Sequence, residues 1–373
     1  MSTQLNDYLS VIKNMDDNFK SYMIIAFILI ILVIFIVYMI YLSKLGGREV
    51  SYMNSLYPSV NGNIRPISSN DPDCSKNLYD YYIKTAYNAC SGGTYKNDYV
   101  DVNVLKSIIK EGVRCLDFEI YSINNQPVVS TSTTDDYYVK ETFNSVSFAI
   151  VMDTIKNYAF SGGTCPNPTD PLIIHLRIKS NNQEMYSNLA NILKSYDSIM
   201  LGKDYSFENS GKNMGASPLL SFQNKVILIV DRTNNAFLQN QEFLEYVNIT
   251  SNSAFMRGYD YYGVKNNPDT QELTEFNKRD MTIVFPDKGV SPSNPSGYLC
   301  RNYGCQMVAM RYQLVDNFLL ENALFFDRCG YAFSLKPEEL RYKPVTIPTP
   351  TPQNPAYSYE TRKASTDYYN FKF

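Results

Sequence analysis

Residues 22–42 form an uncharged, almost wholly apolar run, Tyr-Met-Ile-Ile-Ala-Phe-Ile-Leu-Ile-Ile-Leu-Val-Ile-Phe-Ile-Val-Tyr-Met-Ile-Tyr-Leu. As a helix rising about 1.5 Å per residue it spans roughly 30 Å, the thickness of a bilayer's hydrocarbon core. A helix of a soluble fold is apolar along one stripe, whereas this one is apolar on every face. The expectation is a membrane span at residues 22–43, with the lipid bilayer as its partner. The run is too long for the core of a signal peptide, and Lys44-Leu45-Gly46-Gly47 is no small-x-small cleavage site, so a retained single-pass anchor is expected. Lys13 and Lys20 flank one end, Lys44 and Arg48 the other, so charge assigns no orientation. The sequon Asn248-Ile249-Thr250 is compatible with an exposed lumenal face.

The rest of the chain divides around this anchor. Residues 1–21 are polar, with Leu5, Tyr8, Leu9 and Ile12 at helical spacing. Residues 44–73 are rich in Ser, Asn, Pro and Gly and read as a linker. Residues 74–341 alternate strand-like and helix-like apolar patterns. Val102, Leu105, Ile108 and Ile109 predict one helix, Phe148, Val151, Met152 and Ile155 a second, and Met185, Leu189, Ile192, Leu193 and Tyr196 a third. Strands are predicted at residues 171–178, 225–230, 281–285, 306–312 and 331–335. Strands separated by helices over this length imply a parallel α/β sheet, with a (β/α) barrel as the default. Residues 342–373, with Pro344, Pro348, Pro350, Pro352 and Pro355 among Thr, Gln and Tyr, read as an extended or disordered tail.

Composition narrows function mainly by exclusion. A net charge of −3 gives no basic field for nucleic acid. Seven cysteines at irregular spacings, without a CxxC pair and with a single histidine, argue against structural zinc. The abundance of Asn, Ile, Lys and Tyr suits an AT-rich genome and is compatible with a cellular membrane or the internal membrane of a large virus.

One strand-like segment carries chemistry. In Cys115-Leu116-Asp117-Phe118-Glu119-Ile120, alternation puts Leu116, Phe118 and Ile120 on one face and Cys115, Asp117 and Glu119 on the other. Two carboxylates on a buried face need a cation, a metal or water. Either this face floors a polar pocket or it is a solvated acidic face.

Ile83-Lys84-Thr85-Ala86-Tyr87-Asn88, residues 111–121, residues 127–134 and residues 170–180 resemble, in order, the X region of phosphoinositide-specific phospholipase C. Gly304-Cys305-Gln306-Met307-Val308-Ala309, Cys329-Gly330-Tyr331 and Lys336-Pro337-Glu338-Glu339-Leu340-Arg341 resemble its Y region. The X region would cover about 78–232 and the Y region about 277–341. The resemblance implies a distorted TIM-type (β/α)8 barrel with its pocket at the carboxyl ends of the strands. It also implies phosphoric diester hydrolysis in lipid metabolism, in which an inositol 2-hydroxyl attacks phosphorus with the help of two histidines and, in eukaryotic members, a calcium ion.

Carried over residue by residue, that machinery is depleted. The family histidines fall at Tyr87 and Thr131, and neither is an acid/base near neutral pH. His175 is the only histidine in the chain, so two-histidine catalysis is impossible and no catalytic residue is expected. His175 is a weak alternative. The calcium ligands fall at Asn88, Asp117 and Glu119, and the fourth at Arg177. A guanidinium there is expected to pair with Asp117 and Glu119 as a built-in cation; the alternative is Arg177 pointing to solvent, leaving three weak calcium ligands. The phosphate-binding lysines fall near Ile229 and Asp231, and the family Arg and Tyr at Ile283 and Phe285. Cys90 and Cys115, without an identifiable basic partner, read as core. The expectation is a membrane-anchored pseudoenzyme without cofactor, serving as a structural or binding protein with a phosphoinositide headgroup or a protein as partner. The alternative is an active phosphodiesterase with a rebuilt site at His175 and a metal at Asn88, Asp117 and Glu119.

Overall fold

The computed structural model describes residues 16–134, 138–344, 348–354 and 357–373. The main elements follow in chain order: α1 (Asp17–Leu56), β1 (Tyr81–Ala86), α2 (Val102–Lys110), β2 (Cys115–Ile123), β3 (Gln126–Ser130), β4 (Val146–Ser147), α3 (Phe148–Thr154), β5 (Leu172–Ile178), α4 (Gln183–Lys194), β6 (Val226–Asp231), β7 (Ile249–Ser251), β8 (Met256–Asp260), α5 (Thr270–Arg279), β9 (Met281–Phe285), α6 (Gly297–Asn302), β10 (Met307–Met310), α7 (Asn317–Cys329) and β11 (Phe333–Leu335). Shorter helical turns lie between them.

Eight parallel strands form a nearly closed barrel in the order β7-β6-β5-β2-β1-β10-β9-β8. The seam between β7 and β8 has a chain-length cause. Only residues 252–255 connect these strands, and parallel neighbours need a crossover of roughly a dozen residues or more. Alternation then builds two apolar cores. Ile83, Cys115, Ile173, Ile227, Ile229, Ile283 and Met307 fill the barrel interior. Leu116, Phe118, Ile174, Leu176, Leu228 and Val308 face outward beneath the helices.

The three periodic helices fall where the spacing predicts, as α2, α3 and α4. Segment 331–335 becomes β11, which is not a barrel strand but pairs antiparallel with the start of β1. β7 and β8 went unrecognised in sequence because one is three residues long and the other reads Met-Arg-Gly-Tyr-Asp, with no apolar alternation. All seven cysteines are free, and Cys90 and Cys115 are buried core thiols, as expected.

α1 is long and apolar enough to cross a membrane. Residues 1–15, including the predicted helical spacing there, lie outside the described residues. The helix does not stop at residue 43. It continues to Leu56, so the first part of the expected linker is rigid helix seated on the barrel. Gly46 and Gly47, read as linker residues, lie inside it. A side chain at Gly46 would come within 3.3 Å of Tyr99, which is why a glycine sits at this close approach. Farther along, Asn54 accepts from Ser107 at 3.2 Å, Tyr57 Oη donates to the Tyr312 carbonyl at 2.7 Å, and Met53 is fully buried. Between these contacts the Glu49 carboxyl meets Asp98. Burial, and then Asp98 itself, push the Glu49 carboxyl up to about 9 against the opposing charge of Arg48. Glu49 is therefore protonated at neutral pH and can donate to Asp98.

Residues 342–373 form a separate unit. The tail was expected to be extended or disordered, but it contains a short hairpin, β12 (Lys363–Ser365) paired antiparallel with β13 (Asn370–Lys372). Its turn is closed by Thr366 N–H donating to the Tyr369 carbonyl at 2.8 Å. Ala364 and Phe371 are paired opposite each other at its centre, downstream of the prolines.

The sequon of residues 248–250 is not a surface feature. Asn248 is buried, accepting from Leu228 N–H at 2.8 Å and donating to the Tyr205 carbonyl at 3.0 Å, while Thr250 donates to Glu208. Asn248 is expected to stay unmodified even when the chain is expressed through a glycosylating compartment. Electrophoretic mobility should be unchanged by endoglycosidase; a mobility shift would mean that this segment opens before or after folding.

Candidate functional site

The acidic strand face lies inside the barrel, not in solvent. Asp117 is 0% and Glu119 1% exposed. The β2/β5 register sets Asp117 beside His175 and Glu119 beside Arg177. Since both strands point these residues to the same face, two acids meet an imidazole and a guanidinium at the carboxyl end of the barrel. Arg177 is 3% exposed, so the solvent-facing alternative is ruled out.

The guanidinium is bonded on every side. Nε donates to Asp117 Oδ1 at 3.0 Å, Nη1 to Glu119 Oε1 at 2.7 Å, and Nη2 to Asp117 Oδ2 at 2.7 Å and Asn88 Oδ1 at 2.9 Å. Asn88 sits at φ 45°, a left-handed conformation that Asn tolerates better than most residues. Its own backbone amide donates to Asp117 Oδ2 at 3.2 Å. Glu119 Oε2 accepts from Tyr121 Oη at 2.7 Å and from Ser132 N–H at 2.9 Å. Burial pushes the Asp117 carboxyl up, but the Arg177 charge and the hydrogen bonds from His175 and Arg177 outweigh it, holding Asp117 well below the usual carboxylate range. Conversely, burial lowers the Arg177 pKa, and Asp117 with its neighbours raises it further than burial depresses it.

An aromatic layer covers the ion network. The Arg177 guanidinium stacks 4.6 Å over the Tyr87 ring and 5.4 Å from Phe285. Tyr87 meets Tyr95 edge-on at 5.4 Å, and Phe285 lies 5.4 Å from the His175 ring. Thr131, at the second histidine position of the resemblance, is buried and donates to the Tyr95 carbonyl at 3.2 Å. Ile229 and Ile283 belong to the barrel's interior core, and Asp231 accepts from Thr233 and Asn252. None of these four positions therefore presents a cation.

His175 has both ring nitrogens bonded, Nδ1 to Asp117 Oδ1 at 2.8 Å and Nε2 to Ser251 Oγ at 2.9 Å. In the neutral tautomer that donates from Nδ1 to the carboxylate, Nε2 is the acceptor for the serine hydroxyl. Carboxylate, imidazole and hydroxyl in this chain are the groups by which a serine is activated as a nucleophile. Here all three are at most 1% exposed, and the carboxylate is shared with Arg177. Ser251 escaped the sequence reading because it ends a three-residue strand, 76 residues from its partner, in a motif-free context.

The protein-family model for the X domain of phosphatidylinositol-specific phospholipase C matches residues 74–232, and that for the Y domain matches residues 231–339. Together they span the whole barrel. The chain belongs to the phosphatidylinositol-specific phospholipase C family. Among solved structures, L. pealei PLC21 is similar at 18% identity and TM-score 0.57, covering 72% of this chain and 38% of that one. S. officinalis PLC21 is similar at 17% identity and TM-score 0.57, with the same coverage. At that identity the likeness concerns the fold, and this chain spans less than two fifths of the length of those phospholipases. Comparison with curated protein sequences returns no match.

Removing Arg177 would leave Asp117 and Glu119 buried without their cation. Arg177→Ala is expected to lower stability by about 3–5 kcal/mol, the usual range for breaking one side of a buried pair. The wild-type contribution of Asp117, whose folded pKa is depressed, is present above the ordinary carboxylate pKa and lost as pH falls. The deficit of Arg177→Ala should therefore be largest near neutral pH and shrink toward pH 5, where the orphaned carboxyls protonate. Denaturant melts of both proteins across that range check this; a deficit independent of pH would contradict the ion-pair account.

Proposed function

We propose that this phospholipase C-type barrel is a catalytically silent, membrane-anchored scaffold whose old ligand pocket is locked by its own arginine. The observation that carries the reading is the four-point bonding of Arg177 to Asp117, Glu119 and Asn88. A calcium ion would need those same oxygens, and both Asp117 oxygens, Glu119 Oε1 and Asn88 Oδ1 already accept from a guanidinium. The donor set therefore does not suit the metal, and no cofactor is proposed. The two positions that would carry protons hold Tyr87 and Thr131, each buried in a partnered environment. Tyr87 and Phe285 pack over the Arg177 guanidinium, so the oxygens it holds are not free for a headgroup's counter-ion. The partners favoured are the bilayer, through α1, and a protein.

The relay of Asp117, His175 and Ser251 favours a second reading, a rebuilt phosphoric diester hydrolase in which His175 moves the proton. It requires the aromatic cover to open and Arg177 to leave Asp117.

The test is inositol phosphate release from phosphatidylinositol vesicles by the full-length chain, with calcium and with chelator, beside a catalytically competent phospholipase C. No release in either condition is the expected result. Calcium-dependent release would overturn the arginine lock. Release that survives chelator and disappears in His175→Ala would establish the second reading instead.

A further inference from the structure

The hairpin of β12 and β13 has two unlike faces. Its ladder sets Arg362 opposite Phe373, Lys363 opposite Lys372, Ala364 opposite Phe371 and Ser365 opposite Asn370. Alternate residues share a face, so Tyr369, Phe371 and Phe373 line one side and Lys363, Ser365, Asn370 and Lys372 the other. The aromatic side is bare. Tyr369 is 66%, Phe371 52% and Phe373 66% exposed, and the rings of Phe371 and Phe373 lie 5.7 Å apart as one strip.

The polar side carries an unfavourable pair. Arg362 and Phe373 exchange both backbone hydrogen bonds, at 2.7 and 2.9 Å. Bonded and non-bonded pairs alternate along an antiparallel ladder, so Lys363 and Lys372 form a non-hydrogen-bonded pair, the kind whose side chains lie closer. Like charges directly opposite each other weaken strand pairing. Neither lysine has an acidic partner among the described residues. An isolated two-stranded hairpin is at best marginally stable in water. This one exposes rings on one face and repels itself on the other, so it calls for a surface that takes up the rings and supplies negative charge.

An anionic bilayer meets both needs. Aromatic side chains are favoured at the membrane interface, and basic ones are drawn to anionic headgroups within a Debye length of them. Residues 362–373 hold Arg362, Lys363 and Lys372 against Asp367 alone among charged side chains. α1 is the one helix among the described residues long and apolar enough to cross a membrane, so the tail shares a compartment with the leaflet from which α1 emerges. Residues 342–362 extend to at most about 70 Å. A compact domain of roughly 270 residues is about 50 Å across, so the tether is long enough to bring the hairpin to that leaflet.

We propose that the β12–β13 hairpin docks on the anionic headgroups of the bilayer that α1 crosses, with Tyr369, Phe371 and Phe373 turned into the interface. Lipid phosphates relieve the repulsion of Lys363 and Lys372, whose long stems let the ammonium groups reach headgroup oxygens. The inference rests on the membrane reading of α1 and does not depend on whether the barrel is silent.

The chain contains no tryptophan, so one introduced indole reports its own surroundings. The full-length chain is reconstituted in vesicles of phosphatidylcholine, alone or mixed with phosphatidylglycerol, with a quencher on the headgroup or deep in the acyl chain. Leu32→Trp marks the span and should be quenched by the deep label in both lipids. Phe371→Trp should emit at shorter wavelength and lose several-fold more emission to the headgroup label in anionic vesicles than in neutral ones. Joint replacement Lys363→Thr and Lys372→Thr should remove that difference, although threonine opposite threonine favours strand pairing. Asn370→Trp, on the other face, should be quenched less than Phe371→Trp. Quenched Leu32→Trp with unquenched Phe371→Trp in anionic vesicles would overturn the inference and leave the anchor intact; a blue shift in that case would assign the rings to a protein surface instead. Equal quenching of Phe371→Trp in both lipids, unchanged by the threonines, would overturn it too, because the lysines would then play no part. If Leu32→Trp is itself unquenched, the anchor reading fails and the inference with it.

Discussion

The pairing of Arg177 with Asp117 and Glu119 is the interaction on which the centre of this molecule depends. Two carboxylates in a barrel interior are intolerable alone, because desolvation of each is worth several kcal/mol. A single guanidinium meets both because β5 lies in parallel register beside β2, with Glu119 facing Arg177 and Asp117 one step below. A shift of one residue in that register would turn Arg177 to the helix-covered face and leave both acids unpaired. The ion network therefore contributes specificity of register as much as stability. The aromatic cover adjoins it, since Tyr87 and Phe285 pack on the guanidinium as well as on each other.

Much of this arrangement was legible in the sequence because it depends on period-two alternation and on residue type. Asp117 and Glu119 share a face by parity, Arg177 follows from the same parity on the next inward strand, and the absence of a second histidine is a matter of counting. What escaped was set by contacts between distant segments. Ser251 reaches His175 only because β7 lies beside β6 in the barrel, and no local pattern announces a three-residue strand. Tyr95, which seals the network beside Tyr87, sits in a loop of Gly, Thr, Asn and Asp whose course is fixed by the Val290 carbonyl and by Asp98. The end of α1 was misplaced for a related reason. Gly46 and Gly47 signal a helix end when only propensity is weighed, yet at Gly46 the lack of a side chain is what lets the helix approach Tyr99. Tertiary packing then extends the helix to Leu56.

Under the proposed function an arginine stands where the resemblance would put a metal, and that changes what such a barrel responds to. A calcium site links fold or activity to ion concentration and requires that oxygens remain available to an entering ion. A guanidinium is present as soon as the chain is made and stays charged over the whole physiological range. The interior then has one state rather than a loaded and an empty one. That accords with the proposed role of a scaffold.

The segment between β1 and α2 joins this ion network to α1. Its first residues, Tyr87 and Asn88, lie under and beside Arg177; its later ones, Gly92, Gly93 and Asp98, receive Glu49 of α1. Between them the Gly93 carbonyl accepts from Arg311 at 3.3 Å and from Gln313 at 3.1 Å, which fixes the segment to the loop after β10 as well. Thr94 holds Asp98 through both its amide and its hydroxyl, so the carboxylate facing Glu49 is oriented from the barrel side. A dozen residues are thus clamped from the inside by a guanidinium and from the outside by a helix. The segment that flanks the buried charge is the same one that receives Glu49 of α1.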